Sequence, residues 1–279
     1  MTPGSGWRLL APALLLLTVA FVVPVGMMVP TSVRPYVPLV GITGGFTARY
    51  YTRLLTDSYY LEIIGRTLAL GLTVTCATLV IGYPVAFFLA RTRSRWRSWL
   101  TILVVFPLML NLVVRTFGWI ALLAQNGLVN QALQALGVGP VKLLFNFAGL
   151  LIGLTHIFLP FMVLVLIGAI QNIPRDVEDA ARVLGASWGS AFFRVTLPLS
   201  APGILSGSIL VFVLTISALV TPRLLGGPTY QVMSTLIYDE FLARLNWPAG
   251  SAQSLLLTAM VLALVYLSSR LARRTGARA

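Results

Sequence analysis

The sequence is short of almost everything a soluble catalyst uses. It holds one cysteine (Cys76), one histidine (His156), one lysine (Lys142) and seven acidic residues among 279. A lone cysteine excludes an intrachain disulfide framework. One histidine excludes an H-E-x-x-H metal site. The lysine, set between Val141 and Leu143, cannot complete the G-x-x-x-x-G-K-[ST] phosphate loop. Charged residues make up 10% of the chain, where soluble domains carry about 25%. Low charge joined to 58% hydrophobic residues excludes a disordered chain, and at this length a water-soluble globule has no volume in which to hide the excess. What remains is an all-α integral membrane protein. The net charge of +13 would point to nucleic acid in a soluble chain. In a membrane chain it reports topology, because basic residues collect on the cytoplasmic side.

A bilayer core takes about 20 apolar residues per helix. Six runs meet that length: Leu9–Val29, Thr67–Ala90, Trp99–Leu123, Phe147–Ile170, Gly203–Val220 and Gly250–Ser268. The first is longer than the core of a cleaved signal and lacks a small-x-small site, so it reads as an uncleaved helix. With the N-terminus inside, 12 of the 20 basic residues become cytoplasmic. They are Arg8, the run Arg91, Arg93, Arg95 and Arg97, the loop residues Arg175, Arg182 and Arg194, and the tail residues Arg270, Arg273, Arg274 and Arg278. Both termini are therefore expected in the cytoplasm. The organisation reads as an N-terminal helix and outer loop over 1–60, a membrane domain over 61–269 and a tail over 270–279. Thr47–Asp57 reads as a short amphipathic surface helix, and Cys76 as a small core residue of the second span.

One loop departs from the apolar pattern. Residues 171–200 carry three acids and three arginines. Val177, Ala180, Ala181 and Leu184 recur at the spacing of one helical face, with Asp176, Glu178, Asp179 and Arg182 away from it. Pro174 suits the first turn, Gly185 a C-terminal stop, and Ser187 the cap of a second short helix ended by Pro198 and Pro202. The apolar face needs a cover, either the membrane domain or another protein.

Here the chain resembles the permease subunits of ABC importers. Their cytoplasmic loop before the last two helices carries EAA-x3-G-x9-I-x-LP. This sequence has Asp179-Ala180-Ala181, Gly185 after three residues, and Val195-Thr196-Leu197-Pro198 after nine more. Asp for Glu and Val for Ile are the departures. The likeness is greatest to the spermidine/putrescine branch, through Phe106-Pro107 with Asn111 and Val114-Arg115, Asn126 to Asn130, His156 to Met162, Leu197 to Gly203, Thr221-Pro222 and Leu245-Asn246-Trp247. Branches for iron, sulfate, thiamine or phosphonates share part of the pattern, so the substrate stays open.

The resemblance implies a six-helix, type I importer permease fold in the inner membrane, without an ATPase site or bound cofactor of its own. ATP and magnesium would be used by two partner ATPase subunits. A second permease and an extracytoplasmic substrate-binding protein would complete the complex, with no nucleic acid. Loop 171–200 would be the coupling helix, with Asp179, Ala180, Ala181, Gly185, Leu197 and Pro198 at the ATPase. Ionisable groups inside spans are costly and default to functional roles. The translocation path therefore draws its candidates from Asn111, Arg115 and His156, with Asp239 and Glu240 at the outer entrance of the last helix. Arg115 lies about 24 Å along the third run, where its alternative is to snorkel to the outer surface, with Asn111 one turn before it. A hydrogen-bonded packing role for His156 is the alternative, as is water or binding-protein contact for the two acids. The rival class is an ATP-independent secondary transporter relying on His156 and Arg115.

Overall fold

The computed structural model describes residues 3–276. Arg278 lies outside the described residues, as do the side chains of Arg8, Arg273 and Arg274. Among the described residues the regular structure is helical apart from one short hairpin. It runs α1 (Pro3–Leu17), a π-helical turn, α2 (Val23–Ser32), β1 (Tyr36–Val37), β2 (Gly41–Ile42), α3 (Arg49–Thr56) and α4 (Ser58–Arg91). There follow α5 (Arg97–Met109), α6 (Leu112–Leu123), α7 (Leu128–Ala135), α8 (Phe147–Gln171), α9 (Arg175–Val183), α10 (Trp188–Ala191), α11 (Leu197–Leu199) and α12 (Ala201–Ser217). The chain closes with α13 (Met233–Tyr238) and α14 (Trp247–Gly276). The antiparallel pair β1–β2, with Tyr36 opposite Ile42, is confined to the first long loop. The amphipathic segment expected over Thr47–Asp57 is α3.

Among the described residues five helices are long and apolar enough to cross a membrane, or six if Trp188–Leu199 and Ala201–Ser217, bent by 62°, count as one span. The third apolar run is not one helix. Leu110 leaves helical geometry after α5, and Asn111 starts α6, its side-chain oxygen accepting the Val113 N–H at 2.8 Å. An asparagine able to cap locally wins over continuous apolar character, since its side chain supplies the acceptor that the first turn of a helix lacks.

Two compact units emerge. The first joins the chain up to Ile63 with Thr235–Met260. In it Tyr51 shares a hydrogen bond with Ser32, and the Tyr36 hydroxyl donates to the Arg244 carbonyl. The second joins Ile64–Ser234 with the chain from Val261. Its centre is α8, whose Leu150, Leu154, Met162, Val163, Leu166 and Ile170 are fully buried. In lipid the gain comes from close van der Waals packing rather than from escape from water, so small residues sit where helices meet. A Cβ on Gly203 would collide with Ala169, and one on Gly207 would lie 2.8 Å from Met162 Sδ, which brings α12 against α8. Gly71 does the same for α4 against Phe212 and Ile216 of α12, both 2.8 Å from such a Cβ. Cys76, expected in the core, is instead exposed on α4.

Candidate functional site

Loop 171–200 folds as its sequence pattern predicts. Arg175–Val183 is a helix with Asp176 and Glu178 in its first turn, where the positive end of the helix dipole favours acids. Its start follows Pro174 in extended geometry. Gly185 then takes φ +92°, a conformation that costs glycine nothing and a side-chain residue a good deal. Ser187 caps α10, accepting the Ser190 N–H at 3.3 Å.

Most of the surface of α9 is open, and only Arg175, Glu178 and Ala181 are half-buried. Its apolar residues are turned out: Val183 is 87% exposed and Leu184 88%, and Asp179, Ala180 and Gly185 are exposed with them. Two of its polar residues, Arg175 and Glu178, are turned in, while Asp176, Asp179 and Arg182 are exposed. Arg91 at the end of α4 donates from NH2 to Glu178 Oε1 at 2.6 Å and from NH1 to the Ile173 carbonyl at 3.1 Å. Thr196 Oγ1 donates to the same Glu178 oxygen at 2.9 Å, and Arg175 donates to the Arg91 carbonyl at 2.8 Å. The second half of the loop is held by aromatic edges. Phe192 meets Tyr83 and Phe87 of α4 at 5.7 and 5.1 Å between ring centroids and stacks on Trp188 at 5.8 Å. The Tyr83 hydroxyl and Ser200 share a hydrogen bond of 2.8 Å. Leu197 is half-buried and Pro198 exposed. The loop is thus a platform seated on the end of α4, with Val183 and Leu184 facing away from its own chain.

The residues expected along the path are placed differently. Asn111 is the cap of α6 and exposed. Arg115, expected well along one continuous helix, lies in the first turn of α6, because the run breaks at Leu110 and Asn111. Its Nε and NH1 are buried without a hydrogen-bond partner among the described residues. His156, half-buried on α8, accepts the Trp119 indole N–H at Nδ1, 3.0 Å away. That bond selects the neutral ring with its proton on Nε2. Glu240 does not stand open at an entrance. It is 2% exposed in the first unit, with Oε1 accepting from Arg244 NH1 at 2.8 Å. Oε2 faces no partner among the described residues. Beside it lies a cavity of about 140 Å³ lined by Tyr50, Arg53, Tyr60, Arg244, Asn246 and Gln253 among others. Burial raises the Glu240 carboxyl above the usual carboxylate range and Asp239 adds to this, while the charge and hydrogen bond of Arg244 oppose it. Asp239 is half-buried.

Sequence reasoning passed over Arg91, Tyr83, Thr196 and Ser200 as parts of the platform. One signal was available: Arg91 is the first charge after a long apolar run, which places it at a helix end beside the loops. Among the described residues no cluster of three or more His, Cys, Asp or Glu is placed to hold a metal ion.

Comparison with known proteins bears on this geometry. Residues 82–278 match the family described as binding-protein-dependent transport system inner membrane component. The spermidine/putrescine transport system permease protein PotB of Escherichia coli strain K12 is 37% identical over 215 residues, 76% of this chain and 78% of that protein. The molybdenum transport system permease protein ModB of Mycobacterium bovis is 34% identical over 195 residues, 70% of this chain and 72% of that one. A chain of a bacterial alginate ABC transporter, solved in complex with an alginate pentasaccharide-bound periplasmic protein, superposes with a TM-score of 0.76 at 20% identity. The superposition covers 96% of this chain and 93% of that one, a likeness of fold.

Proposed function

The chain belongs to the family of binding-protein-dependent transport system inner membrane components, ABC importer permeases of the inner membrane, and from that premise we propose that it carries a polyamine of the spermidine/putrescine type. On this reading it forms half of a translocation path, beside a second permease subunit, and receives substrate from an extracytoplasmic binding protein. Two ATPase subunits use ATP and magnesium on its behalf, and the chain itself performs no covalent chemistry. Residues 61–269 are the transport domain, residues 1–60 an added helix and outer loop, and both termini are cytoplasmic.

The observation that carries the ATPase-docking part is the outward stripe of α9. A membrane protein that turns Val183 and Leu184 to water, at 87% and 88% exposure, presents an interaction surface. Ala180 and Ala181 leave room for close approach, and the Gly185 turn ends the helix sharply. Asp179, Ala180, Ala181, Gly185, Leu197 and Pro198 are the proposed ATPase contacts. Support for the substrate comes from the 37% identity to a spermidine/putrescine permease.

A second substrate reading has its own observation. The buried, unpartnered N–H groups of Arg115 suit an oxyanion better than a polycation, and one relative is a molybdenum permease. Asn111 would line the same path.

Uptake by the complete complex in proteoliposomes, with ATP enclosed on the ATPase side, tests the choice. Labelled spermidine should accumulate and labelled molybdate should not. Accumulation of molybdate alone replaces the polyamine assignment with the oxyanion one.

A further inference from the structure

Glu178 is not the acid of the loop motif. It precedes Asp179, and the two carboxylates leave α9 about 100° apart. Asp179 is exposed with the apolar stripe, while Glu178 is turned inward at 19% side-chain exposure against an Arg91 side chain at 13%. One oxygen of Glu178 collects bonds from two separate segments: the Arg91 guanidinium ending α4, and Thr196 in the π-helical turn Phe192–Thr196 that leads out of the loop. Arg91 in turn holds the Ile173 carbonyl, where the chain enters the loop. Thr196 is 1% exposed, so its hydroxyl is shielded from competing water. Entry, helix, exit and the end of α4 therefore meet at the Arg91–Glu178 pair.

A helix of nine residues joined by a glycine turn has no core of its own and would hinge if pushed. Charge-assisted bonds in a partly dry setting are the strong ones, and this set spans both ends of the hinge. We propose that Glu178, with Arg91 and Thr196, is a positioning clasp that makes loop 171–200 and the end of α4 move as one body. A displacement of the loop is then delivered to the membrane helices instead of being absorbed at Gly185 and Pro174. The proposal rests on the reading of this loop as the ATPase-docking element.

The test uses the complete complex of both permeases, ATPase and binding protein, in a chain with Cys76→Ser. Spin labels at Arg93→Cys and Arg182→Cys report the distance between the end of α4 and α9, with and without ATP and magnesium. With Glu178 intact the distance distribution should stay narrow and unchanged between the two conditions. With Glu178→Gln it should broaden and shift on nucleotide addition, while ATPase still co-purifies and hydrolyses ATP. Spermidine and molybdate uptake, assayed in parallel, should fall several-fold per ATP hydrolysed for whichever solute is carried. Arg91→Met should match this loss, and the double variant should be no worse than either single one. Thr196→Val, a milder change, carries the same test in smaller measure if Glu178→Gln fails to accumulate. An unchanged distance distribution with unchanged uptake per ATP overturns the clasp. Loss of the ATPase from the Glu178→Gln complex also overturns it, since Glu178 would then be a docking residue. An intact chain that retrieves no ATPase overturns the docking reading itself, and the clasp with it.

Discussion

Trp119 on α6 donates its indole N–H to Nδ1 of His156 on α8 at 3.0 Å, with the rings edge-on at 5.2 Å. The only histidine of the chain is thereby a bridge between two helices, with a tautomer chosen by its neighbour. A ring committed in this way makes a poor proton relay, because protonating Nδ1 breaks the bond that positions it. This weighs against the secondary-transporter reading.

Trp119→Phe should remove that bond and leave the His156 acceptor unmet. The expected cost is about 1 kcal/mol, the usual scale for such a bond. It should appear as a lower melting temperature of the detergent-solubilised complex, with uptake retained. Loss of uptake at unchanged stability would instead assign His156 to the path.

Gly185→Asp should abolish uptake while membrane insertion stays normal. No atom lies within 4 Å of a Cβ built there, so the effect is not a clash within the chain. It comes from the strained φ of +92° and from a charge placed in the apolar stripe. Gly185→Ala isolates the backbone part, about 1–2 kcal/mol of local strain, and should lower uptake without ending it. ATPase co-purification and uptake, measured on both variants, check this. Wild-type transport in Gly185→Asp refutes the docking surface.

Gly203→Val should drive α12 off α8 by collision with Ala169, an overpacking cost of about 1–3 kcal/mol or more. Gly168→Ala, on the same α8 with nothing within 4 Å, is the control and should be neutral. Thermal melts of the two variants beside wild type decide it. Equal melting temperatures would mean that α8 and α12 do not approach this closely.

Glu240 should make the first unit less stable as pH rises. Its carboxyl, raised by burial, faces Arg244, Asp239, Arg53 and Tyr60. Between the ordinary carboxylate value and the raised one, the folded state binds more protons than the unfolded state, so stability falls with pH across that window. The contribution is complete below the ordinary value and is lost as pH climbs through the raised one. Hydrogen exchange of residues 239–246 over about pH 4–7 should slow toward the acid end. Glu240→Gln, which keeps an acceptor for Arg244, should flatten that slope.

Much of this protein was legible in its residues. The membrane class followed from composition, and five of the six apolar runs correspond to continuous helices, although the fifth, α12, is short of a full span on its own. The loop helix, its glycine turn and the Ser187 cap were read where they occur, because each depends on neighbours within a few positions. Cys76 was misread since apolar surroundings in sequence do not distinguish a helix face in the core from one turned outward. The third run was misread as one helix because capping by Asn111 competes with apolar continuity, and periodicity is blind to that contest.

The sequence by itself determined that α9 has two unlike faces, since helical spacing sorts Val177, Ala180, Ala181 and Leu184 from the acids and arginines. Only the tertiary structure decided that Arg175 and Glu178 turn inward while Asp176, Asp179 and Arg182 stay out with the apolar residues. The inward neighbours are not hydrocarbon but Arg91, the carbonyl of Ile173 and the hydroxyl of Thr196, which α4 and the loop's own ends bring together. A charge that finds donors there is held, and the apolar stripe is left facing away from the chain. Periodicity can say that a helix must take sides, while the groups waiting on each side come from segments up to 87 residues away.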